Sequence, residues 1–374
     1  MVVYTTYYSE NEMKNYLIIV GVAVALLSGC QSTGPDSIKE AQPEYNYALA
    51  ETANEQMLLN LVRLKYRDTP YFLEVSGITE SRSAKVSMGL GKTQWNVNAH
   101  NSGPTAVMAF PLLGTEETRT PTITYAPLQG EKFVKHLVSP IPLSIILTMV
   151  QAGWTIDRVF NLCVERINDL DNASTASGPT PETKPEYESF FRTTELLAKL
   201  DRSGEIEIGT KNNELVLKLS SSPYLASEKY ELKNLLDLSL DTDEFTFGNN
   251  FIDSSDNTLT IRTRSIMEVL FYLSHAVTVS QNDINAGLVT LTYDDTGDIF
   301  DWTNNLSGEL LKVHSSEEKP QGAFVSIKYR GSWFYINDND LNSKTTFMLL
   351  NHLFNLQSGE SKSIAPTLTL AVGS

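Results

Sequence analysis

The chain has 374 residues, of which 41% are hydrophobic and 20% are charged, and its formal net charge at pH 7 is −16. This hydrophobic content is enough for a packed core and excludes a wholly disordered chain. The acidic balance disfavours nucleic acid and anionic lipid headgroups as partners, because both are negatively charged. No nucleic-acid partner is therefore predicted.

The first element along the chain is a candidate export signal that begins at Met13. Lys14 supplies a positive charge, an apolar run extends from Leu17 to Leu27, and Ser28-Gly29-Cys30 follows. A charged start, a short apolar run and small residues before the cleavage point are the three parts of a secretory signal. The run is shorter than the roughly 20 apolar residues that cross a bilayer. We therefore predict a signal peptide over residues 1–29 and not a permanent transmembrane helix.

The end of this signal, Leu27-Ser28-Gly29-Cys30, resembles the lipobox of bacterial lipoproteins. The resemblance implies cleavage between Gly29 and Cys30 and lipidation, including palmitate, on Cys30. Two or three acyl chains hold a protein on a membrane more stably than one. Gln31 follows the cysteine, and in this family a residue other than Asp there implies the outer membrane, with the body facing the periplasm. The alternative is an ordinary signal peptide with a chance cysteine.

Residues 1–12 do not fit the export signal. Glu10 and Glu12 lie just before the apolar run, where a signal peptide usually carries positive charge. We therefore predict that translation starts at Met13.

The next part of the chain is predicted to be a tether followed by an N-terminal domain. Residues 30–43 are polar and contain Pro and Gly, which is typical of a lipidated tether. The N-terminal domain is predicted over residues 44–170, and its first helix must end before Pro70 because the residue before a proline avoids the helical region. The predicted elements are helices at 44–66, 142–151 and 155–170 and strands at 71–75, 85–98 and 122–126, with a loop between the last two strands.

Residues 171–186 are predicted to be a linker, because they lack periodicity and contain three prolines. A C-terminal domain is predicted over residues 187–374. Ser265-Ile-Met-Glu268 matches a helix capping box, and Asn212-Asn213 and Gly331-Ser332 are typical of hairpin turns. The predicted elements are helices at 187–200, 226–236, 266–273 and 340–359 and strands at 205–208, 214–219, 323–329, 333–336 and 367–372.

The order of these elements decides the fold class. Helices and strands are mixed without the regular alternation of a doubly wound sheet. We therefore predict an α+β fold with mainly antiparallel strands, arranged as two subdomains.

Five segments together resemble a family of uncharacterised proteobacterial lipoproteins. They are Asn54–Pro70, Pro121–Tyr125, Ser139–Pro142, Arg262–Ser265 and Tyr329–Ile336. The resemblance covers most of the chain after the signal peptide, and it implies a shared fold and a location in the cell envelope. It implies no activity.

No catalytic residue, cofactor or metal site is predicted. Gly89-Leu-Gly91-Lys92-Thr93 resembles the end of a phosphate-binding loop, but Val86 stands where that motif needs a glycine. The five histidines lack a second His or Cys at ligand spacing, and the acidic clusters lack the glycine of a calcium loop. Cys163 lies in an apolar stripe of helical spacing and is predicted to be a core residue without a disulfide partner.

Two features are candidate interaction sites. Arg63 and Arg67 lie four residues apart on one helix face, where they can bind an acidic group of a partner or pair with Asp68 or Glu74 at the helix end. Trp333 and Tyr335 belong to an aromatic strand that could contact carbohydrate or protein, although alternation places half of that strand in the core.

These observations predict a membrane-tethered, periplasm-facing lipoprotein that acts as a non-catalytic interaction or scaffold module of the cell envelope. An envelope protein is the expected partner, besides the membrane itself. The alternatives are an envelope hydrolase that acts on peptidoglycan, glycan or lipid, and a ligand-binding lipoprotein of a transport system.

Overall fold

The computed structural model describes residues 34–96, 105–179, 181–251 and 255–359. The chain divides into two compact units, Met1–Glu55 and Gln56–Ser374. The described part of the first unit belongs to a helix that begins at Gly34, so residues 34–43 of the predicted tether are helical. Met13, Gly29 and Cys30 lie outside the described residues, and so does the predicted strand at 367–372.

The described elements are as follows. The helices are α1 (Gly34–Lys65), α2 (Glu131–Val138), α3 (Leu143–Gln151), α4 (Ile156–Cys163), α5 (Glu188–Arg202), α6 (Ala226–Leu235), α7 (Ile266–Ser274), α8 (Gln281–Asn285), α9 (Ser307–Leu310) and α10 (Leu341–Gly359), with a 3-10 turn at Ser174–Ser177. The strands are β1 (Leu73–Asn96), β2 (Thr105–Pro127), β3 (Val164–Ile167), β4 (Leu170–Asp171), β5 (Ile206–Lys211), β6 (Glu214–Leu219), β7 (Glu244–Gly248), β8 (Thr258–Thr263), β9 (His314–Ser316), β10 (Ala323–Tyr329) and β11 (Ser332–Asn337).

The fold is α+β, as predicted. In the described ranges the strands form a hairpin of β1 and β2, a sheet in the order β10-β11-β9, and a six-stranded sheet in the order β4-β3-β8-β7-β6-β5. The strands are mainly antiparallel, and β7 and β8 pair in parallel. The sequence did not predict β3, β4, β7, β8 or α2.

The hairpin of β1 and β2 corrects one predicted loop. Its two strands pair continuously from Leu73 opposite Pro127 to Asn96 opposite Thr105, with one irregularity between Val75 and Gly77. The sequence predicted shorter strands with a loop rich in Gly, Pro and Thr between them. Because each strand of a two-stranded sheet has an edge without a ladder, prolines that lack an N–H can be accommodated inside it.

The segment 171–186 does not separate two domains. The six-stranded sheet takes β3 and β4 from before this segment and β5 to β8 from after it, and β3 pairs directly with β8. Asn172 within the segment is buried, and its amide donates to the backbone carbonyls of Asn161 and Val164 at 2.9 and 2.6 Å. The predicted linker is therefore packed inside the unit Gln56–Ser374, and the predicted boundary between residues 170 and 187 is corrected.

The helix that carries Cys163 is shorter than predicted. It ends at Cys163, and the chain continues directly as β3 instead of remaining helical to Leu170. The reason is tertiary, because β3 is paired with β8, which lies far away in the sequence.

Two of three local signals in the C-terminal half are confirmed, and the turn predicted at Gly331-Ser332 lies one residue earlier, because Ser332 already belongs to β11. Asn212 and Asn213 adopt φ of 51° and 69° between β5 and β6, and Arg330 and Gly331 adopt 47° and 92° between β10 and β11. Positive φ at both central residues is the requirement of a type I′ hairpin turn. Ser265 and Glu268 form the predicted capping box at the start of α7.

Helix α7 lies at the centre of the packed unit. Its apolar side chains Ile266, Val269, Leu270 and Leu273 are all fully buried. It packs against α2, α9, α10 and the 3-10 turn. The backbone just before α7 therefore has a fixed position, and this matters for the cleft described next.

Candidate functional site

An open cleft of about 610 Å³ lies in the described part of the chain and is called here the Arg262 cleft. It lies where β7 and β8 end and where the chain enters α3. Its walls are apolar or aromatic on most sides, with one cationic side chain. The lining residues are Pro140, Ile141, Pro142, Leu143, Phe247, Gly248, Asn249, Phe251, Ile261, Arg262 and Thr263.

Two distant sequence segments build this cleft. Pro140 and Ser265 form an antiparallel β-bridge, and the backbone N–H of Ile141 donates to the carbonyl of Arg264 at 2.9 Å. Ile141 is buried to 1% exposure, so it fixes this segment to the core while Pro142 begins α3 at the surface. The segments Ser139–Pro142 and Arg262–Ser265, which both contribute to the family resemblance, therefore form one wall.

Arg262 is the charged group of the cleft. Its side chain is 65% exposed, and its Nε lies 2.7 Å from Oε2 of Glu165, whose side chain is only 7% exposed. Oε2 has no hydrogen-bond donor in good alignment among the described atoms, so the contact is an ion pair and not a well-formed hydrogen bond. Burial raises the pKa of the Glu165 carboxyl, and the nearby Arg262 and Arg264 oppose this shift.

Aromatic rings flank the cation. Phe247 and Phe251 line the cleft, and Cζ of Arg166 lies 5.0 Å from the centre of the Phe251 ring. A guanidinium is always charged and offers several fixed N–H donors. The arrangement is therefore suited to holding an anionic group beside an apolar one.

The predicted interaction residues Arg63 and Arg67 do not share a helix face, because α1 ends at Lys65 and Arg67 follows it with a φ of 60°. Neither residue lines the Arg262 cleft. Nη1 of Arg63 contacts Oδ1 of Asn60 at 3.4 Å, and Nε and Nη2 of Arg67 donate to the hydroxyl of Thr290 at 2.9 and 2.6 Å. Asp68 does not pair with either arginine in an ion pair. Its carboxylate is 2.9 Å from Nη2 of Arg330 and accepts a 2.6 Å hydrogen bond from Tyr329. The predicted pairing of these arginines with Asp68 is thus corrected.

The predicted aromatic strand is β11, and its alternation is confirmed. Phe334 and Ile336 are fully buried, whereas Trp333 and Tyr335 are partly exposed on the opposite face. Nζ of Lys319 lies 5.3 Å from the centre of the Trp333 ring, and the ring of His314 lies 5.5 Å from that of Tyr335. Trp333, Tyr335, Lys319 and His314 therefore lie on one face of β11 and its surroundings. None of these residues lines the Arg262 cleft.

The other candidate groups are placed as follows. Gly89 to Thr93 lie within β1, which is not the strand-loop-helix context of a phosphate-binding loop. Cys163 is buried, as predicted, and burial raises the pKa of its thiol to about 12.

His275 is not arranged as a catalytic base. Its Nε2 contacts the backbone carbonyls of Ala176 and Gly178 at 3.1 and 3.2 Å, and this nitrogen is therefore not aligned with a serine or a carboxylate. Within the described residues, no three His, Cys, Asp or Glu side chains are grouped closely enough to hold a metal ion.

Sequence reasoning missed Arg262 as a site residue. It appeared only within the Arg262–Ser265 segment of the resemblance. No spacing pattern in the sequence connected it with Pro140–Leu143 or with Phe247 and Phe251. The capping box that begins three residues after Arg262 was the one local signal that a strand end and a helix start meet there.

Comparison with known proteins gives no relative. No protein-family model matches the chain, no curated protein matches it, and no solved structure matches it. In the ranges that the structure describes, no helix is long and apolar enough to cross a bilayer.

Proposed function

We propose that this protein is a lipoprotein anchored in the outer membrane through lipid on Cys30, with a periplasm-facing body that binds an envelope protein without catalysis. The lipobox resemblance at Leu27–Cys30 supports the anchor. The Arg262 cleft supports the binding function and is the observation that carries it. The partner contributes a segment with a carboxylate next to an apolar side chain.

The chemistry of the cleft argues for this kind of partner. The Arg262 guanidinium is exposed and is held on one side by the buried Glu165 carboxylate, so it presents its remaining donors towards the opening. A carboxylate can take two parallel N–H donors from a guanidinium, and this geometry gives specificity. Pro140, Phe247 and Phe251 offer apolar surface for the neighbouring side chain. The chain as a whole, with its formal net charge of −16, repels an acidic segment, and the exposed Arg262 provides a local attraction.

The anchor is tested by growing cells with labelled palmitate and separating their membranes. The wild-type chain is expected to take up label and to sediment with the outer membrane. A Cys30→Ala form is expected to take up none and to leave the membrane fraction. Label that persists in the Cys30→Ala form, or a wild-type chain without label, contradicts the anchor.

The cleft is tested by placing a photoreactive amino acid at Asn249, which is exposed and lines the opening. The matched control carries the same group at Tyr230, which is 58% exposed on α6. An adduct of one size is expected in intact cells from the Asn249 position and not from the Tyr230 position. The adduct is expected to disappear in an E165Q/R262A background, which removes the cation without leaving a buried carboxylate unpaired. Equal adducts from both positions, or an adduct that survives this double substitution, contradicts the proposed site.

A further inference from the structure

A second cavity, called here the Lys65 cavity, lies apart from the Arg262 cleft. Its volume is about 290 Å³. It is formed by the end of α1, the residue that caps α7, and the chain from the end of α7 to the start of α9. The lining residues are Lys65, His275, Val277, Thr278, Val279, Ile284, Val289, Thr290, Leu291, Thr292, Ile299, Phe300, Asp301, Trp302 and Thr303.

Lys65 brings a cation into this cavity, and no carboxylate among the described residues pairs with it. Its ammonium donates to the backbone carbonyl of His275 at 2.8 Å, which is the one acceptor for it among the described residues. Burial lowers the pKa of the amine to about 8, and no neighbouring carboxylate opposes the shift.

Two other lysines in the described part of the chain pair their buried ammonium groups with carboxylates. Lys229 and Lys233 are each 7% exposed. Nζ of Lys229 lies 2.5 Å from Glu205, and Nζ of Lys233 lies 2.8 Å from Asp243. A charge without a counter-ion is unfavourable in an apolar environment. A ligand that carries an anion can supply the counter-ion that Lys65 lacks.

Apolar side chains form much of the remaining wall, beside Thr278, Thr290, Thr292, Asp301 and Thr303. The indole N–H of Trp302 donates to the hydroxyl of Thr292 at 3.0 Å, and the ring lies 4.9 Å from the His275 ring. Val289 and Phe300 are less than one tenth exposed and continue this surface. The ring of Trp302 therefore has one orientation and offers a preformed contact for an apolar group.

The other titratable groups at the cavity do not replace the missing anion. Burial lowers the pKa of His275 to about 3, so its ring is neutral at pH 7. The Asp301 carboxylate accepts hydrogen bonds from the backbone N–H groups of Thr303 and Asn304 at 2.9 and 3.3 Å. The Asp283 carboxylate, on α8 beside the cavity, accepts a hydrogen bond from Tyr66 at 2.8 Å.

We propose that the Lys65 cavity binds a small monocarboxylate with a short apolar body. The carboxylate pairs with the Lys65 ammonium, and the apolar body lies against Val289, Phe300 and Trp302. A volume of about 290 Å³, at roughly 30 Å³ for each water-sized group, takes a ligand of about ten non-hydrogen atoms. This activity is additional to the proposed partner binding at the Arg262 cleft and does not depend on it.

The competing explanation is purely structural. A lysine that contacts the last carbonyls of a helix stabilises that helix by interacting with its dipole. Under that explanation Lys65 serves only to cap α7, and the cavity has no preference for an anion. The two explanations differ in one measurable property, which is the discrimination between a carboxylate and its neutral analogue.

The experiment uses the full chain with Cys30→Ser and measures binding of hexanoate and of neutral hexanamide by titration calorimetry at pH 7. Hexanoate is expected to bind at least about tenfold more tightly, because only the anion pairs with the ammonium. In a Lys65→Met variant this preference is expected to vanish. In a Val289→Trp variant, which fills the cavity and keeps the lysine, both ligands are expected to lose affinity. Lys328→Met, at an exposed position on β10, is the matched control and is expected to bind like the parent.

Three results overturn the proposal. They are equal binding of hexanoate and hexanamide to the parent chain, a preference that survives Lys65→Met, and no heat of binding for either ligand at millimolar concentration. If Lys65→Met does not fold, the Val289→Trp variant still decides whether hexanoate binds in this cavity. None of these results bears on the crosslinking test of the Arg262 cleft.

Discussion

The guanidinium carbon of Arg264 lies 4.0 Å from the centre of the Tyr272 ring, and both side chains are fully buried. Nη1 of Arg264 donates to the carbonyls of Asn161, Leu162 and Val164 at 3.1 to 3.2 Å, and Nη2 donates to the carbonyl of Asn172. The first three carbonyls belong to the end of α4 and the start of β3. The cation therefore satisfies carbonyls that the helix leaves unpaired, and the negative end of the helix dipole compensates its charge.

We expect Arg264→Lys to destabilise the fold by about 3 kcal/mol or more, because an ammonium cannot reach carbonyls on several sides and leaves buried oxygens without donors. Urea unfolding followed by circular dichroism measures the change. Arg262→Lys is the matched control two residues away, and its exposed side chain leads us to expect a loss below about 1 kcal/mol. Similar urea midpoints for the two variants would show that Arg264 does not have the stabilising role described here.

The buried pair of Lys229 and Glu205 leads to a second prediction. Their side chains are 9% and 10% exposed, and Lys229 also donates to the carbonyls of Ser220 and Ser222 at 2.7 and 2.9 Å. Lys229→Met leaves the carboxylate buried without its partner, and we expect it to cost about 3–5 kcal/mol. The double variant with Glu205→Met is expected to recover part of this loss.

The control for this pair is a more exposed ion pair between α5 and α6. Lys199 contacts Glu228 at 2.6 Å, with side chains that are 51% and 18% exposed. We expect Lys199→Met to change the free energy of unfolding by about 1 kcal/mol or less, because solvent screens the pair. A double variant of Lys229 and Glu205 that is less stable than Lys229→Met alone would contradict the interpretation of the buried pair.

The elements that the sequence predicts correctly are those whose signals are local. The capping box at Ser265 and the turn at Asn212-Asn213 each depend on residues within one or two turns of chain, and the turn predicted at Gly331-Ser332 is found one residue away, at Arg330-Gly331. These residues have the same backbone preferences whatever surrounds them. Their positions could therefore be predicted before the fold was known.

The elements that the sequence misses depend on distant partners. The stripe through Cys163 has helical spacing, yet the chain becomes a strand at Val164 because β8 is available to pair with it. The Arg262 cleft likewise requires the bridge between Pro140 and Ser265. Lys65 has the same local sequence signal as any lysine near a helix end. Its lack of a buried counter-ion is visible only once the chain is folded.

His275 leads to a prediction about pH. Burial lowers its pKa to about 3, from an ordinary value of 6.5. Below pH 6.5 the unfolded chain takes up a proton that the folded chain does not. The stabilisation is therefore fully present above pH 6.5 and is lost as the pH falls towards 3, by up to about 1.4 kcal/mol for each pH unit.

We expect the free energy of unfolding of the parent chain to fall more steeply between pH 6 and pH 4 than that of His275→Gln, which can still donate to a carbonyl and does not titrate. Urea unfolding at a series of pH values measures this difference. His352→Gln, at an exposed position on α10, is the control and should follow the parent curve. Parallel curves for the parent and His275→Gln would mean that His275 titrates alike in both states.

Cys163 provides a test of the core itself. It is fully buried, and burial raises the pKa of its thiol to about 12, so the reactive thiolate is rare and shielded in the folded state. In the full chain with Cys30→Ser it is the only cysteine that remains.

We expect an aromatic disulfide reagent to modify Cys163 only when the fold opens, with a rate that rises with urea in parallel with global unfolding. The control has Cys163→Ala and Ser227→Cys, which places a thiol at an exposed position of α6, and it should react at once without urea. Reaction of Cys163 at the rate of this exposed thiol would mean that the packing around the junction of α4 and β3 is open in solution.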